Sequence, residues 1–128
     1  MAELYNEDFQ VVAIDTNVTV AEVVLLQGLV AIAPSGTVKA AVQAAIVFNA
    51  NGVASTVTFR IRKGTTTAGQ LMATCALNPV TTQIGVATLA ATESLSNVSG
   101  AQYCVTGQID GGACTANPIM IDTKVLSG

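Results

Sequence analysis

The sequence predicts an all-β chain folded as a single antiparallel β-sandwich or barrel of seven or eight strands, and three observations point there. Alternating apolar and polar residues recur at intervals of about 8 to 15 residues, the spacing of strands in sandwiches and barrels. Hydrophobic residues make up 51% of the chain but aromatic ones only 4%. The small and β-branched side chains that remain suit sheets better than helices. No segment carries a convincing helical period. A chain of 128 residues is long enough to bury one core without metal or disulfide staples.

Taken in order, the opening Met1–Asp15 sets Glu3, Glu7, Asp8 and Asp15 among Leu4, Tyr5, Phe9, Val11 and Val12 with no strong period. It reads as an extended N-terminal arm docked on a neighbour, with Thr16–Gly128 forming the domain. Thr16–Ala33 holds two apolar runs split by Gln27-Gly28. Its β-branched residues and glycine favour a strand with a bulge or break over a helix at Val20–Leu26. Pro34-Ser35-Gly36 is a turn. Thr37–Phe48 is β-rich, and Asn49-Ala50-Asn51-Gly52 after it carries the Asn-Gly signal of a tight hairpin. In Thr56–Gly64, TVTFRIRKG, Val57, Phe59 and Ile61 alternate with Thr58, Arg60 and Arg62, so an extended backbone buries one set and presents the other. These two runs are expected to form a long central hairpin.

Lys63–Gly69 reads as a loop and Gln70–Leu77 as a strand ended by Asn78-Pro79. Thr81–Thr92 is a strand with Ile84, Val86 and Thr88 on one side. Glu93–Gly100 is polar and is expected to cross between sheet edges. Ala101–Ile109 alternates well, with Tyr103, Val105, Gly107 and Ile109 on one face and Gln102, Cys104, Thr106 and Gln108 on the other. Asp110-Gly111-Gly112 turns the chain. Ile119–Leu126 is the last strand, starting after Pro118, where a proline is tolerated.

Charged residues make up 10% of the chain, against about 25% in an ordinary domain. Thr65–Thr92 contains no Asp, Glu, Lys, Arg or His at all. Either neutral Thr and Ser coat the surface, or much of it is covered by copies of the chain or by another protein, because interface centres are depleted in charge. A net charge of −3 argues against nucleic acid, which needs a basic face. A membrane span is not expected either: Val18–Ala33 is interrupted by Glu22, Gln27 and Gly28 and falls short of the roughly 20 residues required. Met1–Gln10 lacks the apolar region of a secretory signal, so the protein is expected to stay where it is made. Cys75, Cys104 and Cys114 cannot all pair. Cys104 and Cys114 are spaced to meet across a hairpin, but without a secretion signal reduced thiols are favoured.

The absence of histidine removes Ser-His-Asp and Cys-His catalysis and imidazole-based metal sites. No phosphate loop, dinucleotide fingerprint or calcium loop occurs. The expectation is a protein that is not an enzyme and uses no cofactor. Arg60, Arg62 and Lys63, three of only five cations, cluster on one strand. They either solubilise a sheet edge or dock an acidic partner, such as Glu3, Glu7 and Asp8 in a neighbour's arm, or else the arm, Leu4, Tyr5 and Phe9 included, or the cation patch meets a host or capsid surface.

The run TVTFRIRKGTTTAGQLM, Thr56–Met72, with VSGAQYCVTGQ, Val98–Gln108, resembles small jelly-roll domains of bacterial-virus structural proteins, similar in architecture to trimeric tumour-necrosis-factor and C1q heads. Shared with them are an alternating strand with paired arginines leading into a Gly-Thr-Thr loop and a later strand centred on an aromatic, here Tyr103. The chain departs from that pattern in its few aromatics. The resemblance implies a jelly roll and a homotrimeric capsid decoration or cement protein on the virion exterior, made in the host cytoplasm. Its partners would be copies of itself and the major capsid protein. A fibre or spike head binding a receptor or glycan is the alternative, and the loops Gly64–Gly69 and Glu93–Gly100 lack the aromatics such a head exposes. A capsid jelly roll is the third reading, and it would usually be longer and often basic.

Overall fold

The alternation in Val57–Lys63 sorts its side chains as a period of two requires: Val57, Phe59 and Ile61 are fully buried, and Thr58, Arg60 and Arg62 turn to the other face. The same logic repeats through the chain. The computed structural model describes residues 4–31, 37–51, 56–78, 84–96 and 101–127, and among these residues it has nine strands and no helix. They are β1 (Leu4–Val12), β2 (Thr16–Val18), β3 (Val23–Ala31), β4 (Thr37–Asn51), β5 (Val57–Lys63), β6 (Leu71–Leu77), β7 (Ile84–Ser96), β8 (Ala101–Ile109) and β9 (Ala113–Ser127).

One sheet has the order β1-β9-β4-β7, with β2 continuing the line of β1 along β9; the other has the order β3-β8-β5-β6. Every pairing is antiparallel. Among consecutive strands only β5 and β6 pair; from β2 onward every other connection passes from one sheet to the other. That is a jelly-roll β-sandwich. Its one hairpin turns at Gly64, whose φ of 99° lies in the left-handed region that glycine alone enters freely.

The core lies between the sheets. Val42, Ile46, Phe48, Ile119, Ile121 and Val125 from the five-stranded sheet meet Val57, Phe59, Ile61, Tyr103, Val105 and Ile109 from the other. Phe48 and Phe59 stack at a tilt across the gap, their ring centroids 5.4 Å apart. Ala40 and Ala44 fill the narrow places between larger neighbours on the inner face of β4.

Four expectations are corrected. The central hairpin does not form: β4 and β5 belong to different sheets, and Asn49, Ala50 and Asn51 continue β4, pairing with Thr115, Cys114 and Ala113 of β9. Burial of Ala50 extends the inward alternation past the expected turn. The opening stretch is a strand of this chain, because Leu4–Val12 runs along Leu126–Ile119 of β9. The polar segment expected to cross the sheet edges begins as strand, since Glu93–Ser96 pairs with Ala40–Thr37 and Leu95 is buried. The last strand begins at Ala113 and runs through Pro118. There Asn117 and Pro118 together oppose Val47, a bulge that absorbs the missing donor.

The strand reading of Thr16–Ala33 holds as β2 and β3; Gln27 and Gly28, where the bulge or break was expected, pair regularly with Cys104 and Tyr103, and the register shifts fall on either side, at Val24/Leu26 and Gly28/Ala31. The three thiols are free, and Cys104 and Cys114 lie in opposite sheets. The expected turn at Pro34-Ser35-Gly36, together with Gly52, Pro79 and Asn97–Gly100, lies outside the described residues.

Candidate assembly surface

The outer face of the five-stranded sheet is built by the residues that alternate with the core. Register fixes its rows. Glu7, Lys124, Ala41 and Thr92 lie across the strands in one row, then Phe9, Asp122, Gln43 and Ala90, then Val11, Met120, Ala45 and Thr88. Val47 and Val86 pair beyond them, and Asn49 joins Thr115 and Ile84 in the last row. Most of the charge sits at one end, where Lys39 lies beyond Glu7, Asp122 and Lys124, and Asp15 stands beside Val47, Asn49 and Ile84 at the other. The rest is apolar or neutral.

This face exposes large hydrophobic side chains: Phe9 is 56% exposed, Val11 52%, Ile84 66% and Val86 62%. Water-facing residues of this size are normal singly, but four on one sheet face form a patch. A shallow groove of about 550 Å³ runs among Phe9, Gln43, Ala45, Ala90 and Met120. At its charged end the Lys124 ammonium lies 3.3 Å from Asp122 and 3.7 Å from Glu7. The hydrogen bond Glu7 makes with Asp122 raises its carboxyl above the usual carboxylate range.

Of the expected cations, Arg60 and Arg62 lie on the outer face of the other sheet, where β5 is an interior strand rather than an edge, and Lys63 at the end of β5 is on the opposite, inward side. Their charges are met within the chain. Arg62 grips Glu22 bidentately, Nε to Oε2 at 2.6 Å and Nη2 to Oε1 at 2.9 Å, and its Nη1 donates to the Gly69 carbonyl. Arg60 approaches the same carboxylate at 3.3 Å and donates to Gln108. The Thr106 hydroxyl donates to Glu22 at 2.6 Å. These donors, Arg62 foremost, hold the Glu22 carboxyl below its usual range. Lys63 lies 3.2 Å from Glu93, which also accepts the hydroxyl of buried Tyr103 at 2.5 Å, tying β8 to β7 across the sandwich. Burial first, and then Glu93, pushes that hydroxyl's ionisation far up. Burial pushes the Cys114 thiol up to about 11.

Of the residues expected at contacts, Glu7 and Phe9 therefore lie on the apolar face. Arg60, Arg62 and Lys63 are engaged elsewhere, on Glu22 and Glu93 rather than on the acids of the opening segment. Asp8 accepts from Gln10. Leu4 and Tyr5 belong to β1, and Glu3 lies outside the described residues. Sequence reasoning missed Val11, Ala45 and Met120. It saw the alternation that carries Ile84, Val86 and Thr88, but alternation alone does not say which side meets water. Among the described residues no three Cys, Asp or Glu side chains gather to hold a metal ion.

No family model matches the chain, and no curated protein matches it in sequence. Several solved structures resemble it in shape. A pilus subunit of Bacillus endospore appendages, described as disulfide-linked, has 11% identity and a TM-score of 0.45 over 98% of this chain and 92% of that one. The Eiger tumour necrosis factor of S. frugiperda has 12% identity and a TM-score of 0.44, over 70% of this chain and 60% of that one. A chain of infectious bursal disease virus, Gx strain, has 10% identity and a TM-score of 0.49, over 96% of this chain and 37% of that one. At such identities and scores these likenesses carry no functional argument.

Proposed function

We propose that this chain is a virion structural protein, a capsid decoration or cement protein that binds the outer capsid surface in many copies and stabilises the shell by bridging neighbouring capsomers. The observation that supports it is the outer face of the five-stranded sheet, apolar over most of its rows and exposed, in a chain with few charges. The proposed occupant of that face is the major capsid protein. A broad face with its charges at the ends and apolar or neutral rows between them suits a wide neutral shell better than a small ligand. Each contact is weak, and many copies on a symmetric lattice sum such contacts into strong attachment without any chemistry.

The experiment is co-sedimentation of the purified chain with empty capsids of the virus that encodes it. The chain is expected to pellet with the shells, and the variants Val11→Lys and Met120→Lys, which place a charge on the face, are expected to stay in solution while remaining folded. Equal pelleting of those variants, or no pelleting of the parent chain, contradicts the reading.

A further inference from the structure

We infer that β7 is a self-association edge, at which two copies join their five-stranded sheets by antiparallel β7–β7 pairing about a two-fold axis. Among the described residues no strand pairs with the outer side of β7, which ends its sheet at thirteen residues long. Alternate residues of such a strand present unpaired N–H and C=O groups, and an extended backbone is what satisfies them.

Natural proteins protect long edges with charge, proline, bulges or a covering segment. The flank formed by β1 and β3 has such devices: Glu7 and Asp8 on β1, and register shifts in both strands. On the opposite flank β6 has a register shift against β5 and β7 carries Glu93 near its end, but Ile84–Thr92 of β7 has no charge, no proline and no shift in its pairing with β4. There β6 and β7 pack side by side, each the last strand of its sheet. The charge-free segment Thr65–Thr92 supplies the whole of β6 and the first nine residues of β7. The stretch most unlike an ordinary soluble surface has folded onto this flank.

Charge rules out β1 as the partner strand, and a two-fold axis, which closes the pair, makes the partner β7 itself rather than β6. Pairing β7 with the β1 of another copy would bring in Glu7 and Asp8 without a cation on Ile84–Thr92 to meet them. Pairing β7 with β7 sets no charge against charge over that span. Centred on Thr88, the register places Val86 opposite Ala90 and Ile84 opposite Thr92, so each large side chain meets a small one on the outward face.

This goes beyond the proposed role on a shell, because the pair is expected of the chain alone. Sedimentation velocity of the free protein over a wide concentration range should show a reversible monomer–dimer equilibrium. The double variant Val86→Lys/Ala90→Lys sets lysine against lysine in both symmetric pairs and should weaken the dimer at least about tenfold. Val11→Lys on the far side of the sheet should leave it unchanged, with circular dichroism confirming the fold of each. Hydrogen exchange of the parent chain gives a readout without substitution: β7 amides should be protected when concentrated and exchange faster on dilution. A monomer at every concentration, a trimer, a dimer indifferent to the β7 lysines, or β7 exchange that ignores concentration would each overturn the inference. Loss of shell binding with an intact dimer would overturn the proposed function and leave this pair standing.

Discussion

At the scale of single residues the decisive feature is Glu22, a carboxylate 15% exposed that meets two guanidinium groups and a hydroxyl. Its neutral isostere would leave Arg60 and Arg62 without their counter-charge, so Glu22→Gln should cost about 2–4 kcal/mol in urea denaturation. The pH dependence follows from the direction of its shift. The carboxyl is more acidic folded than unfolded, so its stabilisation is complete above the unfolded value, near 4.5, and drains away as pH falls through the lower folded one. The parent chain should therefore lose more stability below that value than Glu22→Gln does, and matching slopes would contradict the clamp. Half of this arrangement was legible in the sequence. The alternation of Thr58, Arg60 and Arg62 put both arginines on one face, but their partner stands 40 positions from Arg62, and no local pattern announces an ion pair over that distance.

At the scale of elements, strands that bury one face and show the other were readable, and β5 and β8 are the clearest. Connections were not. Asn51-Gly52 has the chemistry of a tight turn, but in a jelly roll consecutive strands mostly cross between sheets, and the inward set Phe48 and Ala50 carries β4 past the expected turn. The opening segment lacked a clear period because edge strand β1 buries little on either side, so acids and apolar residues are tolerated on both. In β7 both faces are apolar, Ala87 and Leu89 within and Ile84 and Val86 without, so period alone left the inner side undecided. The strand also contains a test of how closely the sheets are matched. A Cβ added at Gly85 would stand 2.4 Å from the tip of the Phe48 ring, which stacks on Phe59. Gly85→Ala should therefore destabilise the fold by about 1–3 kcal/mol, where an alanine in open strand would be neutral or favourable. An unchanged melting temperature would mean that the ring is free to move.

At the scale of the whole molecule, composition carries the functional argument. A domain with 10% charged residues leaves large neutral areas facing water; here Phe9, Val11, Ile84 and Val86 share one sheet face and Leu71 lies on the β6–β7 flank, with Ile14 and Val20 exposed in the connections around β2. Composition signalled that such areas exist; only the strand register and sheet order say where they lie. The face is proposed to lie on a capsid and the flank to join one copy to the next, so that the sheet spans its neighbours as a tile. The most direct measurement is the melting temperature of empty capsids with and without saturating amounts of the chain. The account predicts that the shells melt several degrees higher when coated and that Val11→Lys abolishes the gain. Shells that melt at the same temperature with and without the chain would contradict it.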